Sequence, residues 1–219
     1  MITPTEPSEN AVQSDRKKLR KLSCPQFWDD VYQKNNAPEW YMDSDTAAEL
    51  IAGVIKGKRL LDEDNGTHLI ELGCGTSPII PALMKELRPA DVEGYCTDIS
   101  PVCIKQLKIS HQECREPVQF HCLDVGNLST LISSSTFTKS DNSENVLVVE
   151  KGCLDALIWD GKLDILSTLA AAPWKGLLSI SGEDPDIRMV FLQEMFTQCD
   201  ISVACLGDKD LFCYSVIKK

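Results

Sequence analysis

Residues 69–77 read Leu-Ile-Glu-Leu-Gly-Cys-Gly-Thr-Ser. An apolar run stops at an acidic residue and breaks into a Gly-x-Gly turn. A buried strand ends this way when a ligand lies against the backbone, because Gly73 and Gly75 carry no side chain to block it. Glu71, just ahead of the turn, suits a cationic ligand better than a pyrophosphate. Pro78 stands where the dinucleotide fingerprint has its third glycine. That glycine supports close helix–strand packing, so a nicotinamide dinucleotide is disfavoured.

Outward from this turn, short apolar segments alternate with helical ones. Strands are expected at His68–Leu72, Val92–Thr97, Val118–Leu123, Val146–Glu150, Gly176–Ser181, Ile201–Leu206 and Leu211–Ile217. Helices are expected at Asp45–Lys56, Ile79–Leu87, Pro101–Gln112, Leu163–Ala172 and Arg188–Gln198, and around Phe27–Tyr32, where apolar residues recur at helical spacing. Such alternation implies a parallel sheet covered on both faces. Only Gly207-Asp208-Lys209-Asp210 joins the last two strands, which makes an antiparallel hairpin. The expected class is α/β: a seven-stranded Rossmann-like sheet, mostly parallel with one antiparallel strand, and helices on both faces.

The chain has 219 residues, enough for one domain of roughly 150–200 residues and a tail. Residues 1–22 are polar, contain Pro4 and Pro7, and are expected to be disordered ahead of a domain at 23–219. Ser129–Asn145 reads as a mobile loop. No apolar run approaches the ~20 residues that cross a bilayer. A net charge of −11 argues against a nucleic-acid partner, which demands Lys and Arg for its phosphates, and favours a basic partner. The basic cluster at 16–21 reads as a solvated tail segment. The ten cysteines include no Cys-x-x-Cys pair, so they read as reduced thiols and not as a metal site.

Ligands of open α/β sheets bind beyond the carboxyl ends of the strands. Three such ends carry chemistry here. Gly73-Cys74-Gly75 is the first. Asp98 closes the second strand, where a carboxylate accepts both hydroxyls of a ribose. Asp124 follows the third, placed to accept an adenine amine, with Val125 supplying a backbone donor. In this order they point to a nucleoside cofactor. With Glu71 they point to S-adenosylmethionine, which carries a sulfonium and an ammonium.

The segment Val148-Val149-Glu150-Lys151-Gly152-Cys153-Leu154-Asp155-Ala156-Leu157 is the most specific. It resembles the Asp/Glu-Lys-Gly-x-Leu-Asp-Ala segment of class I methyltransferases of the methyltransferase-like 13 group. That group includes lysine methyltransferases of translation elongation factor 1 alpha and of mitochondrial citrate synthase. Phe27-Trp28, Tyr32 and Trp40-Tyr41 resemble the aromatic pattern that the group carries ahead of its first strand. The resemblance covers about residues 24–192. It implies that Trp28, Tyr32 and Trp40 close over the cofactor and that Gly73 faces its methionine portion. It also implies that Asp98 and Ile99 hold ribose and adenine, that Asp124 and Val125 flank the adenine ring, and that Lys151 lines the pocket. Pro173-Trp174-Lys175-Gly176 departs from the usual Gly-Gly there.

The expected function is therefore protein-lysine N-methylation, on a protein such as elongation factor 1 alpha. A small-molecule methyltransferase and a non-catalytic cofactor-binding module remain open. Glu150 is the candidate to attract the incoming ammonium near the mouth of the site, and Trp40 and Tyr41 are candidate cation–π partners. The protein is expected to be a monomer without membrane or nucleic-acid partners. Glu6, Glu9 and Asp15 ahead of the basic run favour the cytoplasm, with the mitochondrion as the alternative.

Overall fold

The computed structural model describes residues 22–34, 37–61, 66–87, 92–112, 118–133, 145–207 and 210–219. The basic run at 16–21, nearly all of the expected tail and most of the expected loop at 129–145 lie outside the described residues.

The strands are β1 (Thr67–Leu72), β2 (Val92–Asp98), β3 (Val118–Cys122), β4 (Val146–Lys151), β5 (Gly176–Ser181), β6 (Cys199–Cys205) and β7 (Phe212–Lys218). They form one sheet in the order β3-β2-β1-β4-β5-β7-β6. The first five run parallel, while β7 is antiparallel to both β5 and β6. This is the expected sheet with its one reversed strand. β1 and β5 are buried throughout, as strands covered on both faces must be.

The helices are α1 (Pro25–Gln33), α2 (Ser44–Lys58), α3 (Ile80–Leu87), α4 (Pro101–Ser110), α5 (Leu128–Ile132), α6 (Cys153–Trp159), α7 (Leu163–Ala171) and α8 (Pro185–Met195). On one face, Ile51 and Ile55 of α2, Leu83 of α3 and Leu107 of α4 pack against Leu69, Leu147 and Val149. On the other, Leu128 of α5, Leu154 of α6, Leu166 of α7 and Leu192 of α8 pack against Ile70, Leu72 and Val148. Each such side chain taken out of water contributes about 1.5–3 kcal/mol.

Helices α5 and α6 depart from the sequence reading. α5 opens the Ser/Thr-rich stretch after a 3-10 turn at Val125–Asn127, and burial of Leu128 and Leu131 outweighs the loop-like composition. α8 begins at Pro185 and not at Arg188, because Asp184 accepts from the Asp186 amide and Pro185 occupies the first turn. Among the described residues, no helix is long and apolar enough to cross a membrane.

β1 lies between β2 and β4, so the crossovers leave it in opposite directions. In open sheets a ligand crevice opens beyond the strand ends at this point.

Candidate functional site

A cavity of about 990 Å³, solvent at its mouth included, opens at the carboxyl ends of β1 to β4. That is room for a nucleoside-sized ligand. Its floor is the turn after β1. Gly73 (φ +62°) and Gly75 (φ +56°) both take left-handed backbone conformations. A Cβ on Gly73 would lie 2.8 Å from the Cys153 sulfur, so no larger residue fits. The Cys74 amide donates to the Thr97 carbonyl at 2.8 Å and ties the turn to β2.

Glu71 borders this floor but is already engaged. Its carboxylate accepts from the amides of Ile79 (2.9 Å) and Ile80 (3.2 Å) where α3 begins. Burial pushes its carboxyl up to about 7. Helix α3 is therefore the first partner of Glu71.

Asp98 ends β2 and is 4% exposed. Its carboxylate accepts from the amides of Ser100 (2.9 Å) and Gly75 (3.1 Å) and, more loosely, from the Tyr32 hydroxyl (3.4 Å). Burial holds Asp98 above the usual carboxylate range and raises Tyr32 as well. A carboxylate offers about four acceptor positions, so a ligand hydroxyl meets one open position and one weakly held. Asp124 accepts from the Gly126 amide at 2.8 Å and so caps the 3-10 turn while bordering the cavity.

The N-terminal segment supplies the wall opposite. Trp28 stacks on Tyr32 with ring centroids 5.8 Å apart. Its indole donates to the Leu22 carbonyl at 2.7 Å. Both residues border the cavity and also pack against the core, so pocket wall and core are one and the same here. Trp40 lies over Gly152, where a Cβ would come within 2.4 Å of its ring. It also stacks against Trp159 at 5.8 Å. The Lys151 ammonium donates to the carbonyls of Trp40 (3.0 Å) and Met42 (2.8 Å) and pairs with Glu39.

The structure thus gathers Trp28, Tyr32, Trp40, Gly73, Gly75, Asp98, Ile99, Asp124, Val125 and Lys151 around one cavity. Glu150 is placed elsewhere. It is fully buried and does not border the cavity. The Ser179 hydroxyl donates to one of its oxygens, the Leu154 amide to the other at 3.1 Å, and the Arg188 guanidinium stands 4.0 Å away. The alternation of β4 is the reason. Val148 faces α5–α8 and Val149 faces α2–α4, so Glu150 turns toward α8 and Lys151 toward the N-terminal segment. The expected place for Glu150 at the mouth is corrected accordingly, and its partner is an arginine.

The sequence reading did not select Thr76, Leu157 and Ile165, which also border the cavity. Leu157 and Ile165 carry no local signal, because the sheet order alone brings α6 and α7 there. Among the described residues, no cluster of His, Cys, Asp and Glu is arranged to hold a metal. The described cysteines are free thiols.

No family model matches the chain. The plantazolicin methyltransferase BpumL, solved with S-adenosylhomocysteine, superposes with a TM-score of 0.58 at 12% identity, over 94% of this chain and 99% of that one. The magnesium protoporphyrin IX methyltransferase of Synechocystis, solved with bound S-adenosylmethionine, gives 0.56 at 14% identity over 99% of this chain and 100% of that one. The fold is that of the S-adenosylmethionine-dependent methyltransferases. Curated relatives are named as mitochondrial citrate synthase-lysine N-methyltransferases. The protein from Danio rerio is 24% identical over 217 residues, covering 87% of this chain and 82% of its own length. The human protein is 24% identical over 186 residues, covering 77% and 72%. These relatives fall on the citrate synthase side of the group that residues 148–157 resemble.

Proposed function

We propose that this chain is an S-adenosylmethionine-dependent methyltransferase acting on a lysine side chain of a protein. One observation carries the reading. Three successive strand ends present Gly73–Gly75, Asp98 and Asp124 to a single cavity, and aromatic residues of the N-terminal segment wall its other side. The residues fit the cofactor: two left-handed glycines leave bare backbone, and a buried carboxylate keeps an acceptor position open. Asp98 would take the ribose hydroxyls, and Asp124 with Val125 the adenine edge. Gly73 would lie along the methionine portion, with Trp28, Tyr32 and Trp40 above.

S-adenosylmethionine, when bound, supplies an electrophilic methyl group. The chain's own contribution is placement: holding nucleophile and methyl in line accounts for a large share of such a barrier. A lysine amine, ordinarily near 10.4, must arrive unprotonated. An apolar approach past Trp40 and Leu157 lowers that value by desolvation. None of the bordering side chains stands out as a general base.

The names of the relatives make citrate synthase the first protein to test, ahead of the elongation factor 1 alpha expected from the motif. They also favour the mitochondrial alternative over the cytoplasm, which fractionation of the tagged protein decides. The direct test is radiolabelled methyl transfer to purified citrate synthase, to purified elongation factor 1 alpha and to a cell lysate, with Asp98→Ala as control. Label on a protein that disappears with the variant supports the reading and names the substrate. Label confined to small molecules overturns the protein-lysine assignment. Cofactor binding without transfer to any of the three leaves a binding module in its place.

A further inference from the structure

Residues 37–43 cross the cavity between α1 and α2 without regular secondary structure. At their centre Tyr41 takes φ +66°, left-handed for a non-glycine residue. The Met42 amide donates back to the Trp40 carbonyl at 2.7 Å, so the chain makes a γ-turn at Tyr41. A γ-turn with positive φ is uncommon and strained, and persists only where its surroundings over-determine it.

The surroundings do so in two ways. The Lys151 ammonium reaches the carbonyls on either side of the turn, Trp40 and Met42, and the Glu39 carboxylate. The Tyr41 hydroxyl donates to Asp155 at 2.8 Å. Asp155 is held in turn by Arg188 at 2.8 Å and by the Ser181 hydroxyl at 2.9 Å, all of them buried. Two glycines receive the aromatic rings. A Cβ on Gly152 would strike Trp40, and one on Gly182 would lie 3.0 Å from the Tyr41 ring. Lys151 and Asp155 both belong to the motif at the end of β4, so that motif grips the crossing segment by its backbone carbonyls and by the Tyr41 side chain.

We propose that residues 39–42 are a sprung latch over the cavity, with Tyr41 as a positioning residue that Asp155 and Arg188 hold and Lys151 pins. The latch sets how fast a nucleoside ligand leaves the cavity. Tyr41 acts through the backbone of Trp40 and touches no ligand itself. The proposal rests on the reading that the cavity binds S-adenosylmethionine and its product.

Two measurements on the full chain test it. The first is amide exchange at residues 39–43 without ligand. The second is the dissociation rate of S-adenosylhomocysteine by stopped flow. Tyr41→Phe keeps the ring and removes only the hydroxyl, and Lys151→Met removes the pin. Each is expected to raise exchange at the latch and to speed dissociation about tenfold, the scale of one hydrogen bond to a charged partner. A Tyr41→Phe, Lys151→Met double variant should lose less than the sum of the two, because both act on one turn. Unchanged exchange and unchanged dissociation in both single variants overturn the latch. If the wild-type chain binds no S-adenosylhomocysteine, the cofactor reading fails, while the exchange measurement still decides whether the turn is held as described.

Discussion

The ends of β1, β2 and β3 and the ends of β4 and β5 build their parts of the site in different ways. At β1 to β3 the working groups are a bare backbone turn and carboxylates each anchored by an amide two residues on, with Asp98 also reaching Gly75 and Tyr32. Asp98 accepts from Ser100, and Asp124 from Gly126, within the same turn. At β4 and β5 every group is committed to a distant partner. Lys151 reaches residues 39–42, Glu150 reaches Ser179 and Arg188, and Asp155 reaches Tyr41, Ser181 and Arg188. A site made of turns is set by its local sequence, and one made of long-range pairs is set by the sheet order.

The largest expected effect breaks the first region. Asp98→Ala removes the carboxylate that bridges the Gly75 amide and the space left for a ribose. Binding of S-adenosylhomocysteine, measured by calorimetry, should fall by at least ~100-fold, since hydrogen bonds to charged groups are each worth about 1.5–3 kcal/mol. The melting transition should remain cooperative. Retained affinity would remove Asp98 from the site.

Gly152→Ala strikes the second region. The position has φ +77°, and its Cβ would stand 2.4 Å from Trp40. Either the indole leaves its seat or β4 shifts, at a cost of about 1–3 kcal/mol. Denaturant melts should show the loss, and the tryptophan emission spectrum, to which Trp40 contributes, should move. Gly75→Ala makes the matched comparison, because its Cβ would meet nothing nearer than the Tyr32 hydroxyl at 3.6 Å. It should strain the turn alone and damage binding more than stability. Equal stability losses in the two variants would erase the distinction drawn between the regions.

The same distinction explains what could be read in advance. Strand existence followed from apolar runs bounded by turn residues, and the reversed strand from a short connection. The cavity residues at β1 to β3 were legible because each needs only a residue type at a strand end. Glu150 was misplaced because strand alternation assigns it to the α8 side, and only the observed packing tells which face that is. Tyr41 was read as a cation–π partner, yet its hydroxyl goes to Asp155, a contact between residues 114 positions apart. Asp184-Pro185 carries the start of α8 in the local sequence, three residues ahead of the expected Arg188.

A smaller effect sharpens the comparison where pocket and core coincide. Trp28 is partly buried, packs on Tyr32 and is anchored through its indole nitrogen to Leu22. Trp28→Ala should weaken S-adenosylhomocysteine binding about tenfold and cost stability as well. Trp28→Phe should restore most of the stability but less of the affinity, if the indole itself closes the cavity. Unchanged affinity in Trp28→Ala would return the residue to the core alone.

The smallest effect separates Glu150 from the cavity. Burial first, then the neighbouring Asp155, raises its carboxyl from 4.5 to about 7, against the opposing pull of Arg188. A carboxyl raised on folding contributes stability fully below its unfolded value, and that contribution is lost as pH rises through the folded one. Between about pH 4.5 and 7, therefore, Glu150 makes the wild-type chain less stable as pH increases. Glu150→Gln cannot ionise there and should make this part of the stability–pH curve less steep, Glu71 keeping its own share, so the gap between variant and wild type shifts in the variant's favour from pH 5 to pH 8. Affinity for S-adenosylhomocysteine should change less than threefold, on the order of 0.6 kcal/mol. A variant with an unchanged slope and a large loss of protein methylation would put Glu150 back at the mouth, in contact with the incoming amine. A shallower slope with methylation retained leaves it as the buried partner of Arg188, holding β4 against α8 beneath the motif that grips the latch.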